Sequence, residues 1–298
     1  MRSWLRGLPP NVQGALWLVS GGFIFTSTSV MIRLLAEQIE SVQTAFFRGV
    51  FSVILLLPMI LSGRVRPWQS KRITGHFWRT LAGTASMVLG FYAVTLLPLA
   101  DATALAFSQP LFSVVVAALV VGERVRWRRW SATIIGFAGV LIMVRPGAGT
   151  LQPGAIVAIL NAAMVAFSIL LVKRLSDSET PLMILTQFAI FSTMLLLPPA
   201  VWVWKWPTLW GWVLAVGVGV TATVGQYFWV QAFKVGEMSA VAPFEYLRLP
   251  FAVLVGWLIW HDKPSVWTYV GAAIVIASAL YIARREAQLA RERRRKVP

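Results

Sequence analysis

No cysteine occurs in the 298 residues, so disulfides, thiol nucleophiles and cysteine-ligated metals are excluded. Histidine is almost as scarce: the chain has 2, His76 and His261, too few for a histidine-rich metal site. Only 13% of residues are charged, about half the ~25% of an ordinary soluble domain. Acids are the rarest charges, 11 against 27 cations. An intramembrane enzyme would need a paired nucleophile and base, metal ligands or an acid pair at depth. The apolar stretches hold no such set and a single deep carboxylate, Glu245. The small-residue runs "GVGVTATVG" (217–225) and "GFAG" (136–139) lack the lysine and Ser/Thr of a phosphate loop, so they read as close helix packing and ATP is no driving force. No cofactor and no metal are expected.

What the chain does have is apolar length. Hydrophobic residues make up 58%, and a membrane span takes about 20 of them in a row. Seven uncharged stretches qualify: 11–32, 80–100, 102–122, 146–172, 180–204, 206–233 and 264–283. A shorter one covers 130–144. Two more are interrupted by charge: 41–62 by Arg48, and 239–260 by Glu245 and Arg248. The expectation is an all-α integral membrane protein of ten transmembrane helices, because continuously apolar spans without alternation do not suit a β-barrel.

Most of the 27 cations collect at one set of span ends: Arg2, Arg6, Arg64 to Arg79, Arg124 to Arg129, Lys173, Arg174, Lys234 and the tail from Arg284 to Lys296. The opposite ends hold Arg33, Arg145, Lys205 and Lys263. By the positive-inside rule both termini are cytoplasmic. That distribution favours the lipid bilayer over nucleic acid as the partner of the net +16 charge. Trp68, Trp78, Trp127, Trp130, Trp204, Trp206, Trp260 and Trp267 fall near span ends, where amphipathic rings sit at the headgroups. The start "MRSWLRGLPP" and the run after it read as a retained first span, since that run exceeds a signal-peptide core. The basic tail, 284–298, reads as a helix on the anionic cytoplasmic leaflet.

The chain also repeats. "ADATALAFSQPLFSVVVAALVVGERV", from Ala100, aligns with "SAVAPFEYLRLPFAVLVGWLIWHDKP", from Ser239. Pro110 meets Pro250, Glu123 meets Asp262, Ala132 meets Gly271 and Gly139 meets Ser278. Five spans per half, an odd number, would insert the halves (1–151 and 152–283) upside down relative to each other, an arrangement used by transporters with midplane sites. The duplicated pattern resembles the EamA family of the drug/metabolite transporter superfamily, with one departure: His261–Asp262 stands where that family usually has Gly-Glu. The resemblance implies two inverted five-helix units and alternating access around a central cavity. It implies no particular substrate.

The stretch "VAPFEYLRLPF" (241–251) holds two charges within a span. Arg248 lies roughly 13 Å deep, near the middle of a ~30 Å core. A lipid-facing charge there costs on the order of 2.5–3.5 kcal/mol, so Arg248 and Glu245 must face protein, water or each other. Either they form an internal pair, or Arg248 clamps a substrate anion while Glu245 takes a substrate amine or a coupling proton. Pro110, Pro243 and Pro250 lack N–H groups and bend spans four and nine, freeing the carbonyls of Ala106, Ser239 and Tyr246. Tyr246 joins the candidate site. Arg48, roughly 9–10 Å below the outer boundary, snorkels or lines the pathway. Tyr92, Gln109, Asn161, Gln187, Gln226 and Tyr227 are intramembrane polar residues that serve either helix packing or substrate.

These residues predict a secondary transporter of a small polar metabolite: an amino acid, an organic acid or a zwitterionic conjugate such as S-adenosylmethionine. The protein is expected in a bacterial-type cytoplasmic (inner) membrane, without nucleic acid as a partner, and a homodimer is compatible with it. A multidrug or lipophilic-cation exporter of the same fold is the alternative. An intramembrane enzyme and a non-transporting membrane partner are remote ones.

Overall fold

The computed structural model describes residues 9–70, 72–120, 127–144, 152–176, 178–235 and 241–295. The turn at Glu123, the cations Arg2, Arg6, Lys71, Arg124, Arg126, Arg145 and Lys296, and residues 146 and 239, where two spans were expected to begin, lie outside them. So do the side chains of Arg128, Arg129, Lys234 and Pro243.

Every regular element among the described residues is helical. In chain order these are α1 (Pro10–Leu35), α2 (Ser41–Leu61), a 3-10 turn (Pro67–Gln69), α3 (Ile73–Leu96), α4 (Leu99–Ala106) and α5 (Gln109–Val120). Then come α6 (Trp127–Val144), α7 (Pro153–Ser176), α8 (Pro181–Trp202) and α9 (Leu209–Val235). A 3-10 segment (Ala242–Leu247), α10 (Arg248–Trp260) and α11 (Val266–Arg295) complete the chain. Six of these segments are long and apolar enough to cross a membrane: α1, α2, α4 with α5, α7, α8 and α9. The basic tail extends α11 without a break as far as Arg295.

Two expected boundaries move. Asp101 was expected to separate spans three and four. Instead α3 ends at Leu96, Leu97 takes an extended backbone, and Asp101 stands in the first turn of α4. A carboxylate is favourable there, facing the positive end of the helix dipole. The second shift is at the start of α3, which begins at Ile73, so His76 and Arg79 belong to the helix rather than to its flank.

The helices sort into two compact units, and each unit draws on both sequence halves. The first comprises Met1–Thr26, Pro98–Gln152 and Val224–Pro298; the second comprises Ser27–Leu97 and Pro153–Thr223. In the first unit α6 packs along α11, and α10 against α4. In the second, α3 packs along α7, and α2 against α8. The second unit has an aromatic core in which Trp204 stacks edge-on against Phe47 at 5.4 Å and Phe46 at 6.2 Å. Trp204 is thus a packing residue as well as a span-end one, whereas Trp68, Trp127 and Trp206 are exposed. Side-chain amides fasten the loops: Gln43 Nε2 donates to the Lys205 carbonyl at 2.7 Å and its Oε1 accepts from the Lys205 N–H at 3.1 Å.

The departure at His261–Asp262 has a structural consequence. His261 caps α10 in the left-handed conformation at φ 55° and donates its N–H to the Trp257 carbonyl, while Asp262 N–H reaches back to Gly256. The bond from His261 to Trp257 makes this the left-handed helix ending that glycine serves best. Asp262 Oδ2 in turn accepts from the N–H of Leu99, the first residue of α4, at 3.3 Å. His261→Gly should therefore stabilise the chain. It removes a left-handed cost of about 1–2 kcal/mol and adds about 0.5–1 kcal/mol of glycine entropy, for a net gain of about 0.5–1 kcal/mol. Thermal unfolding of the full chain in detergent measures it, and an unchanged or lower midpoint would exclude strain at this cap.

Candidate functional site

Proline places the helix breaks. An α-helix passing through Pro250 would leave the Tyr246 carbonyl without its N–H partner, and Pro110 does the same to Ala106. The first segment of span four ends at Ala106 itself, and α5 restarts at Gln109 with Pro110 second. Span nine runs as a 3-10 segment to Leu247, then restarts as an α-helix at Arg248 with Pro250 third. Proline fits there because the N–H groups of a first turn have no partner within the helix. The two broken helices pack against each other in the first unit.

The side chains around these breaks converge. Trp229 Nε1 on α9 donates to Glu245 Oε1 at 3.4 Å. Arg248 interacts electrostatically with Glu245 and holds its guanidinium 5.6 Å from the ring centre of Phe25 on α1. Gly22, one turn earlier on α1, faces Arg248: a Cβ there would lie 3.6 Å from the Arg248 Cβ. Tyr246 meets Phe107 edge-on at 4.9 Å. One cation and one anion thus sit among four aromatic rings from α1, α9 and the two breaks. A guanidinium fork binds a carboxylate in two parallel bonds, a carboxylate takes an ammonium or other cation, and the rings stack on a flat heterocycle.

The remaining sequence candidates disperse. Gln109 Nε2 donates to Ser113 Oγ at 2.7 Å on its own helix. Gln187 donates to the Pro67 carbonyl at 2.6 Å, tying α8 to the 3-10 turn. Asn161 fills the space over Gly90, where an added Cβ would lie 3.3 Å from its amide. Tyr92 lies within electrostatic reach of Glu40. Tyr227 is 45% exposed, against Trp17 and Phe228 rather than near Arg248. Gln226 is half-buried on α9. Arg48 turns into the second unit, where its Nη1 donates to Met87 Sδ at 2.7 Å.

Phe25, Phe107, Trp229 and Gly22 have no polar signature, and only the fold brings them to Arg248. Arg79 could have been found: it lies within one continuous run with the span that follows it. Leu249, Pro250, Val253, Leu254, Trp257 and Tyr269 line an open groove on α10 and α11, too apolar to recognise a polar substrate. Among the described residues no three His, Asp or Glu side chains group as metal ligands.

Known proteins resemble the chain over nearly all of it. The S-adenosylmethionine uptake transporter of Rickettsia prowazekii (strain Madrid E) is 29% identical, covering 92% of this chain and 94% of the relative. The riboflavin transporter of Rhizobium johnstonii is 31% identical over 95% and 94% of the two chains. The pseudopaline exporter CntI of Pseudomonas aeruginosa is 25% identical over 91% and 96%. A protein crystal structure matches with a TM-score of 0.62 at 19% identity, covering 92% of this chain and 98% of that one, which shows a shared fold. The sequence model of the EamA-like transporter family matches twice, at residues 12–145 and 152–284. The chain therefore belongs to the EamA-like transporter family and is a membrane transporter, not an enzyme.

Proposed function

We propose that this protein is a secondary transporter that carries a zwitterionic or carboxylate-bearing metabolite with a flat ring, by alternating access in a bacterial inner membrane. In this reading the sequence halves are inverted five-helix repeats, and both termini and the tail face the cytoplasm. The observation that carries it is the Glu245–Arg248 pair at the break in span nine, ringed by Phe25, Phe107, Trp229 and Tyr246. Opposite charges held within a span rarely add stability over apolar packing, so their presence at a helix break calls for another role.

The relatives' names narrow the chemistry. S-adenosylmethionine combines an amino-acid head, a cationic sulfonium and an adenine ring; riboflavin has a flat ring system and no fixed charge. Aromatic walls suit both, and Arg248 favours the ligand with a carboxylate. Glu245 among aromatic rings also suits a lipophilic cation, the exporter reading, but Arg248 beside it opposes a cation without a carboxylate.

Thermal stabilisation of the purified chain distinguishes them. A ligand at 100 times its Kd adds about 2.7 kcal/mol to the folded state. The expected order is S-adenosylmethionine and amino acids above riboflavin, with lipophilic cations inert. Stabilisation by lipophilic cations alone would replace the metabolite reading with the exporter.

A further inference from the structure

In the second unit two arginines turn inward from helices that carry no acid. Its helices α2, α3, α7 and α8 pack on one another, and their sequences contain Arg48 and Arg79 but no aspartate or glutamate. Both arginines turn to one ring. The Arg79 guanidinium lies 3.7 Å from the centre of Phe188, and that of Arg48 lies 5.9 Å from it. They are close enough to repel each other. Arg79 Nε and Nη1 are sealed from solvent and have no hydrogen-bond partner. The polar contact of Arg48 is a thioether sulfur, Met87 Sδ, a weak acceptor.

Among the described residues, Glu179, Glu40, Glu245 and Asp262 each engage other groups. Glu179 accepts from Ser70 at 2.8 Å and lies 3.7 Å from His76. Glu40 pairs with the exposed Lys205 at 3.7 Å. In the first unit Glu245 accepts from Trp229, and Asp262 from Leu99.

The balance is unfavourable as it stands. A buried charge without a partner costs several kcal/mol. A cation–π contact returns about 0.5–2 kcal/mol, and the like-charge neighbour subtracts from that. The ring is nonetheless set deliberately: Phe188 Cε2 would lie 2.9 Å from a Cβ on Gly83, so a glycine lets it lie close to α3 beside Arg79.

We infer that Arg48, Arg79 and Phe188 form an oxyanion site, which takes a carboxylate or phosphate group between the two guanidiniums while Phe188 keeps them from collapsing onto other acceptors. Nε and Nη1 of Arg79 lie on different sides of the guanidinium, so each is a separate unmatched donor for an oxyanion. The site shares no residue with Glu245–Arg248. Its role in transport rests on the carrier reading above; its existence does not.

The test uses the full chain in detergent, exchanged into chloride buffer. Succinate and acetate probe the carboxylate source, inorganic phosphate the free-anion source, and thermal unfolding is the readout. At least one oxyanion should raise the midpoint saturably, with Arg79→Gln and Arg48→Gln each weakening the apparent affinity at least about tenfold. Arg248→Ala should leave that stabilisation in place. Without oxyanion, Arg79→Gln should unfold at or above the wild-type temperature, because it removes an uncompensated charge. A structural arginine predicts the reverse. Response to carboxylates alone assigns the site to an organic acid; response to phosphate alone assigns it to an inorganic ion. No stabilisation by any probe, or equal stabilisation in Arg79→Gln, overturns the site. If that happens while Arg248→Ala still abolishes uptake, the transporter reading stands and only this inference falls.

Discussion

Replacing Arg248 by alanine abolishes substrate-dependent stabilisation and uptake while leaving the protein folded and inserted. Three contributions set the size of the effect. Hydrogen bonds to a charged group are worth about 1.5–3 kcal/mol each. A bidentate carboxylate contact makes two of them, so affinity should fall at least about a hundredfold. Arg248 also balances Glu245, so its loss leaves that carboxyl without its cation. The Phe25 ring keeps its face to the site but loses its cation. A lysine at 248 restores charge without the planar fork, so it should recover Glu245 balance and little affinity. The double variant Arg248→Ala/Glu245→Ala separates folding from function. It removes both charges together, so expression should return to the wild-type level even if the single variant misfolds, while uptake stays absent. Wild-type uptake in either variant would exclude the clamp and leave the pair an internal device of span nine.

The legibility of this chain divides along a physical line. Spans are a one-dimensional property, since a helix in hydrocarbon must be apolar along its length. The segments could therefore be counted without knowing how they pack, and the prolines at 110 and 250 marked where two of them break. Boundaries were less secure where a charged residue sits within a helix. Asp101 looked like a separator and is a first-turn residue of α4. Arg79 looked like a flanking cation and is held over Phe188 inside the second unit. In both cases the charge meets local chemistry, a helix dipole in one and an aromatic face in the other, that a hydropathy reading does not see. The site is the extreme case. Arg248 and Glu245 are conspicuous because charge is costly at that depth, but Phe25 and Phe107 are two of 17 phenylalanines. Nothing distinguishes them until α1 and the span-four break are brought beside span nine. Conversely, Gln109 and Gln187 were conspicuous by polarity and turn out bonded to Ser113 and Pro67.

Substituting alanine for Gly271 should weaken the first unit more than any other single methyl group added there. In α6 and α11 two glycines face each other's backbone. A Cβ on Gly271 would stand 2.5 Å from the Gly139 carbonyl oxygen and collide with the Met143 side chain; a Cβ on Gly139 would stand 2.8 Å from the Gly271 carbonyl. The obstacle on both sides is backbone, which cannot rotate away as the end of a side chain can. The helices must separate by about an ångström or lose register. Close approach through small residues is a main source of helix association in lipid, where no hydrophobic drive exists between helices. Overpacking of this kind costs about 1–3 kcal/mol, and Gly271→Val should cost more. Gly21→Ala is the control. It adds the same methyl group to α1, where the nearest atom is the Phe228 Cβ at an ordinary 3.4 Å, so its midpoint should stay near that of the wild type. The double variant Gly139→Ala/Gly271→Ala should be worse than either single one, because each methyl meets the opposite carbonyl rather than the space the other vacates. If Gly271→Ala unfolds at the same temperature as Gly21→Ala, the two helices do not depend on backbone contact at this point. The bulk of α6 and α11 would then have to hold them, and a volume-reducing change at Ile274, which stands 3.0 Å from a Cβ on Gly139, would become the larger effect.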